Sequence, residues 1–347
     1  CHVCFVGSHT SALPREVLSL SQVDTVLLNE GVYALRNLLN SDLDKELSSV
    51  NGIGWKSNGQ LFLNEPEKIV PQEKMDTDLP GYAWDLLPFK KKPLDLYRSH
   101  VWHANFNERI RTPYAAIYTS LGCVFGCGFC MINILNRTDN SEGVHAGDSR
   151  VMRFWSVDWV NNQFKILDQM GVKTVRISDE MFLLNQKYYK PICENLAKFE
   201  KKFHIWAYSR IDTVRGSLLK LVKDAGIEWL ALGIEAGVQT IRLSSSKGTF
   251  KDTNVREICK LIEDHKINVI SNFIVGLPND SYQSMLTTMQ LALELNTAMM
   301  NVYPCMNLPG SQFFEEAKSS ESFKRNSYKE FAFLSYESHP SGTNNLS

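Results

Sequence analysis

No apolar run in this chain approaches the roughly 18 residues that a helix needs to span a bilayer, so no transmembrane segment is expected. A charged region followed by an apolar core, the mark of a secretory leader, is missing from the first residues. Charge of one sign is lacking too. Lys and Arg number 37 against 38 Asp and Glu, a balance with no electrostatic footprint for nucleic acid or a membrane surface. Internal repeats and low-complexity segments are absent. A disulfide framework would spread cysteines through a smaller chain, whereas three of the eight cysteines here fall within one short segment. These absences point to a globular, cytoplasmic protein with a metal site.

The 347 residues, 44% hydrophobic and 22% charged, suffice for one large α/β domain and part of another. The chain opens on Cys1, with residues 3–6 already reading as strand interior, and ends in a polar stretch at Ser347. It is expected to be a fragment at its start, with the same reading open at its end.

Residues 1–40 read as the closing part of an α/β domain: a short apolar run, Gly7-Ser8-His9, a helix over 14–20, a buried strand at 26–28, Asn29-Glu30-Gly31 and a helix through Leu39. Residues 41–112 read as a linker region with a short hairpin. Asn51-Gly52 and Asn58-Gly59 signal its turns, and Pro66, Pro71, Pro80, Pro88 and Pro93 punctuate the rest. From residue 113 the pattern becomes regular. Strand-like runs at 115–118, 172–177, 203–207, 229–234, 269–275 and 298–303 alternate with amphipathic stretches at 157–170, 187–200, 215–225, 253–265 and 281–295. Six strands alternating with helices predict a parallel sheet covered by helices. An open six-strand barrel and a doubly wound sheet both fit. In either, ligands bind beyond the carboxyl ends of the strands. The barrel is expected over 113–315, with 316–347 starting a C-terminal extension.

Directly after the first of those strands stands Gly122-Cys123-Val124-Phe125-Gly126-Cys127-Gly128-Phe129-Cys130, a C-x3-C-x2-C spacing. Three soft thiolates suit iron–sulfur chemistry and leave one iron of a four-iron cluster without protein coordination. Gly122, Gly126 and Gly128 let the loop wrap tightly. Zinc would want a fourth ligand, and the nearest downstream histidine, His145, is far off in a polar loop. Three buried free cysteines on a glycine-rich loop is the remaining alternative.

This motif, with the aromatic Phe129 before the last cysteine, resembles the signature of the radical S-adenosylmethionine (radical SAM) superfamily, and the resemblance covers about residues 113–315. It implies a partial (β/α)6 TIM-like barrel whose [4Fe-4S] cluster, held by Cys123, Cys127 and Cys130, cleaves SAM reductively to a 5′-deoxyadenosyl radical. The chemistry belongs to the cofactors; the protein binds, orients and shields. On this resemblance Asp179-Glu180 receives the SAM amine, Arg210 clamps its carboxylate and Glu235 accepts from the ribose. Gly276, in a G-x-P-type turn, lets the adenine approach the backbone, and Phe129 flanks the cluster. Ala236 replaces the usual Ser, Asn279-Asp280 the usual Gly-Glu, and Ser311 a usual Thr. As rival readings, Ser178-Asp179 could be a helix cap, Arg210 could pair with Asp212, and Glu235 could be a solvated acid in a turn.

Residues 7–31 resemble the last portion of a cobalamin-binding, Rossmann-like domain, which often precedes this kind of barrel. The D-x-H-x-x-G stretch that carries the lower-ligand histidine in some members is not in this chain, and Ser8 and Asn29 stand where glycines are usual. The resemblance therefore implies a cobalamin-associated radical SAM enzyme, with methyl transfer as its first reading. Cyclisation or other radical chemistry, and a non-catalytic zinc- or cluster-binding scaffold, are the alternatives. Its partners would be a small-molecule or lipid-like substrate and an electron donor such as flavodoxin or ferredoxin. Cys1-His2-Val3-Cys4 and the His100/His103 pair are read as packing, Cys193, Cys259 and Cys305 as buried apolar residues, and Trp155, Trp159 and Phe164 as core-facing.

Overall fold

The computed structural model describes residues 1–43, 46–88, 91, 98–100, 113–139, 146–200, 202–246 and 254–318; His103 and His145 lie outside them. Two sheets carry the architecture. The first joins β1 (Cys4–Phe5) and β2 (Thr25–Leu27) in parallel, and β3 (Ile53–Ser57) and β4 (Gln60–Leu63) continue it antiparallel in the order β1-β2-β3-β4. The hairpin placed in a linker is thus part of the N-terminal sheet, which runs across residue 40 to Leu63. Its turn has positive φ at both Asn58 and Gly59, the type I′ geometry that matches strand twist. Beyond it, the stretch after Pro71 straps onto the larger domain: Asp76 accepts from the Ser156 backbone at 2.8 Å, and Trp155 and Trp159 donate to the carbonyls of Leu79 and Pro80.

The second sheet holds β5 (Tyr114–Ile117), β8 (Thr174–Ile177), β9 (His204–Arg210), β10 (Ile227–Glu235), β11 (Asn268–Val275) and β12 (Met299–Pro304), all parallel and in sequential order. Sequential order decides between the two layouts open from sequence. Right-handed crossovers without an order reversal put every helix on one face, whereas a doubly wound sheet needs a reversal. Its outer strands β5 and β12 do not pair with each other, so the sheet is an open half-barrel.

The core follows from strand alternation. Val175, Ile177, Ile205, Ala207, Leu230, Leu232, Val269 and Phe273 pack with Phe164, Leu167, Ile192, Leu196, Val222 and Ile262 of the covering helices. The helices start where capping residues stop the preceding loop: Ser156 accepts from Trp159 N ahead of Val157–Gln169, Asn254 from Glu257 N ahead of Val255–Asp264, and Ser281 forms a capping box with Ser284 ahead of Tyr282–Leu295. A helix at Gln239–Ser246 and the small hairpin of β6 (Ser120–Gly122) with β7 (Met152–Phe154) are additional to the expected elements. The boundary expected at 315 falls inside the helix Gln312–Lys318. No described helix is long and apolar enough to cross a membrane.

Candidate cluster and cofactor site

The cysteine loop leaves the sheet at the carboxyl end of β5, through β6. Gly122 has φ +85°, and a Cβ there would fall 2.2 Å from the Val151 carbonyl, so only glycine lets β7 close against it. The loop is then fixed from inside the protein. Cys123 N donates to Asn133 Oδ1 at 2.8 Å, and Asn133 Nδ2 donates to the Phe125 carbonyl at 3.2 Å. Asn136 donates to Asn133 Oδ1 at 3.1 Å. Arg153 donates to Asn136 Oδ1 at 3.1 Å and pairs with Glu30 at 2.6 Å. A buried polar chain therefore runs from the end of the N-terminal sheet to the backbone of the first cysteine. On the other side, Gly128 N donates to the Ser245 carbonyl, Phe313 N donates to the Gly128 carbonyl, and a Cβ on Gly128 would lie 2.4 Å from the Phe313 ring.

None of the three cysteines is in a disulfide. Burial pushes the Cys130 thiol up to about 12, and the neighbouring Cys127, Glu180 and Cys123 act in the same direction. The three sulfurs thus share one electrostatic neighbourhood. Burial also raises Cys123, against a backbone donor, Phe125 N–H, at 3.4 Å from its sulfur. Among the described residues no three His, Cys, Asp or Glu side chains converge as ligands of a single ion do. A four-iron cluster, by contrast, takes thiolates at separate corners. Soft thiolates, N–H donors and a glycine-walled loop fit it.

Around this loop the strand ends bring the other candidates together unequally. Asp179 is buried and fully engaged, accepting from Thr119 N (2.6 Å), Thr119 Oγ1 (2.5 Å) and Ser120 Oγ (2.6 Å). It ties β8 to the start of the cysteine loop, so the carboxylate left open at the mouth is that of Glu180. Surrounding protein and the Asp179 charge push Glu180 up to about 7, while Arg176 pulls it down. Arg210 is buried, forks onto Asp212 through Nε (2.8 Å) and a second nitrogen, and lies 3.7 Å from the Phe125 ring centroid. The Arg210–Asp212 pairing exists, then, but inside the site and against the cysteine loop. Glu235 sits at φ +68°, buried, and burial raises its carboxyl to about 7 against the attraction of Arg210. Gly233 makes room for it, since a Cβ there would be 2.6 Å from Glu235 Oε1.

Asp280 closes the Gly276-Leu277-Pro278 turn from within, accepting from Gly276 N (2.9 Å), Leu277 N (3.1 Å) and Ser284 Oγ (2.6 Å). Gly276 itself has φ +78°. Phe129 packs on the apolar cluster of Ala236, Leu277, Cys305 and Phe313, where Ala236 is fully buried. Residues that carry the site without a sequence motif are Asn133, Asn136 and Arg153, together with Arg242. Arg242 is buried and donates to the carbonyls of Ala236 (2.6 Å) and Gly237 (3.2 Å), bracing the turn after β10. In the sequence Arg242 is an arginine shortly after Gly237 with no motif around it.

Known proteins resemble this chain in sequence and in fold. An uncharacterized methyltransferase of Pyrococcus horikoshii is 24% identical over 90% of this chain and 62% of its own length. The anaerobic magnesium-protoporphyrin IX monomethyl ester cyclase of Rubrivivax gelatinosus is 25% identical over 89% of this chain and 52% of its own. This chain therefore spans little more than half the length of such relatives. Among solved structures, the radical S-adenosylmethionine methyltransferase TsrM from Kitasatospora setae, with cobalamin and a [4Fe-4S] cluster bound, superposes with TM-score 0.66 over 90% of this chain and 58% of that one, at 14% identity. It shows the same fold. The Radical SAM superfamily matches residues 117–292, the segment that holds the cysteine loop and the strand ends around it, and the chain belongs to that superfamily.

Proposed function

We propose that this chain carries the SAM-cleaving centre of a cobalamin-associated radical SAM methyltransferase acting on a small molecule. One observation carries the reading: the ligand-binding edges of both sheets meet at the cysteine loop. The carboxyl end of the half-barrel supplies the loop itself. From the N-terminal sheet, the turn after β2 reaches the same place, where Asn29 donates to the Asp139 carbonyl at 2.9 Å and Glu30 pairs with Arg153. Open α/β sheets bind ligands at those ends. After β1, Gly7 has φ +132° and nothing within 4 Å of where its Cβ would be. The backbone there is bare to a flat ligand, and the turns after β1 and β2 are where cobalamin would rest.

Cys123, Cys127 and Cys130 would hold the cluster, whose chemistry when bound is one-electron cleavage of a sulfonium. Glu180 is the open acid for the amine of SAM. Glu235, at the end of β10, is placed for ribose hydroxyls. The Gly276 turn, held by Asp280, offers backbone to the adenine. Arg210 is already neutralised by Asp212, so its part is to brace Phe125 and oppose the Glu235 charge rather than to clamp a carboxylate alone. The apolar packing of Phe129, Ala236 and Leu277 keeps water from the loop. An external reductant such as flavodoxin or ferredoxin would deliver the electron. Ring closure is the second reading, favoured by the cyclase relatives.

The test is oxygen-free reconstitution with iron, sulfide and cobalamin, followed by incubation with methyl-labelled SAM and a reductant. Label appearing on cobalamin, with 5′-deoxyadenosine formed in the same mixture, supports the proposal. Formation of 5′-deoxyadenosine with no cobalamin retained would favour the cyclase-type reading. Absence of any SAM cleavage would reject both.

A further inference from the structure

We infer that Arg176 anchors a carboxylate of the substrate, and that the substrate bears this carboxylate beside a flat, unsaturated body. The inference deepens the proposed function and rests on its barrel-mouth site. Arg176 stands mid-strand on β8 between Val175 and Ile177, both fully buried against the helices. Alternation puts it on the opposite, inner face of the sheet. Register places it between Ala116 of β5 and Trp206 of β9. Its guanidinium carbon lies 5.3 Å from the Trp206 ring centroid and 5.4 Å from that of Tyr208, and its Nε donates to Ser178 Oγ at 3.0 Å.

Among the described residues its partners are these, with the Tyr114 hydroxyl, and none is a carboxylate within ion-pair distance. Glu180 is close enough to feel its charge but stands beyond that distance. Arg210, the next cation at this mouth, is already committed to Asp212. A half-buried guanidinium with aromatic neighbours and, among the described residues, no carboxylate at ion-pair distance is better satisfied when an anion arrives. Its planar fork matches a carboxylate. A single guanidinium suits a monoanion better than a phosphate dianion, which draws several cations.

The rest of the inner face suits a flat body. Trp206 and Tyr208 present rings beside Arg176, with His100 edge-on to Trp206 at 5.9 Å, and Ala116, Ala231 and Gly233 lie on the same face. Tyr118 and Tyr303 stand half-exposed on that face. The face adjoins the cysteine loop: Arg210, two residues beyond Tyr208 on β9, lies over Phe125 of the loop, and Cys130 senses Glu180.

The experiment measures binding of indole-3-propionate and naphthalene-2-carboxylate, their amides, and phenyl phosphate to the reconstituted full chain with SAM present, by calorimetry. The carboxylates should bind at least about tenfold more tightly than the amides and than phenyl phosphate. Arg176→Met should abolish that preference, and Arg176→Lys should restore part of it, with thermal unfolding of each variant confirming a folded chain. Equal binding of carboxylate and amide, a preference for phenyl phosphate, no binding of either carboxylate, or an unchanged preference in folded Arg176→Met would each overturn the inference. SAM cleavage by the parent chain without any probe reports on the proposed function alone, so the two failures are distinguishable.

Discussion

Replacing Arg153 by methionine removes the centre of the polar chain between the N-terminal sheet and the cysteine loop. The side chain is buried and makes three interactions: the ion pair with Glu30 at 2.6 Å, a hydrogen bond to the Val70 carbonyl at 2.6 Å and one to Asn136 Oδ1 at 3.1 Å. Its loss strands the Glu30 carboxylate, of which only about a tenth of the side chain is exposed and which is left with Val70 N at 2.6 Å as its donor. Breaking a buried pair from one side costs about 3–5 kcal/mol. Asn136 loses its donor and keeps only the Val151 carbonyl and Asn133 as partners, so the chain that positions the Cys123 acceptor is loosened. Arg153→Met should therefore lower the stability measured by urea unfolding by about 3–5 kcal/mol, and a reconstituted cluster should be released faster. The double variant Arg153→Met/Glu30→Gln should recover part of the loss, since the stranded charge is gone. A loss below about 1 kcal/mol, or no recovery in the double variant, would refute the argument that this pair is buried and coupled to the loop.

Other outcomes follow from single contacts. Gly128→Ala pushes a methyl into the Phe313 ring, which lies 2.4 Å from the Cβ position; it should destabilise the chain by about 1–3 kcal/mol, read by thermal unfolding, and lower iron retention. Asp280→Ala leaves the Gly276 and Leu277 amides without their acceptor, at about 1–3 kcal/mol, and should weaken SAM binding more than SAM-independent cluster assembly, by calorimetry. His204 lies 3.0 Å from Glu228, and that hydrogen bond raises its pKa above the ordinary 6.5. A raised folded-state value means the stabilisation is complete below the unfolded pKa and fades as pH rises through the folded one. The pair is half-exposed, so the gap between parent and His204→Ala should be under about 0.5 kcal/mol near pH 5.5 and should vanish near pH 8.5; a gap that grows with pH would contradict the assignment.

The half-barrel was legible because its strands lie between helices and an inner face, which writes them as short apolar runs such as residues 229–234 and 269–275. Their alternation with helices fixed the class, and only sequential strand order, which no residue pattern encodes, separated half-barrel from doubly wound sheet. The cysteine trio was legible because its spacing is local. The polar chain from Glu30 to Asn133 was not, because its members are ordinary residues distant in sequence that burial alone brings together. Burial likewise divides the adjacent acids Asp179 and Glu180, one tied to Thr119 and Ser120 and the other open, a distinction invisible to their side-by-side order. Arg176 lies inside the run 172–177, and only register sets it beside Trp206. The Asn51-Gly52 and Asn58-Gly59 turns gave the hairpin, but nothing local says which sheet a hairpin joins.

The central claim is that three thiolates on this loop hold a cluster with one iron open to SAM. Its most direct test is the electron paramagnetic resonance spectrum of the oxygen-free, reconstituted and reduced full chain, recorded with and without SAM, alongside metal content. The account predicts about four irons per chain, a reduced-cluster signal whose g values shift when SAM is added, and loss of both in Cys127→Ala. One zinc per chain with no cluster signal, or a signal indifferent to SAM, would contradict it.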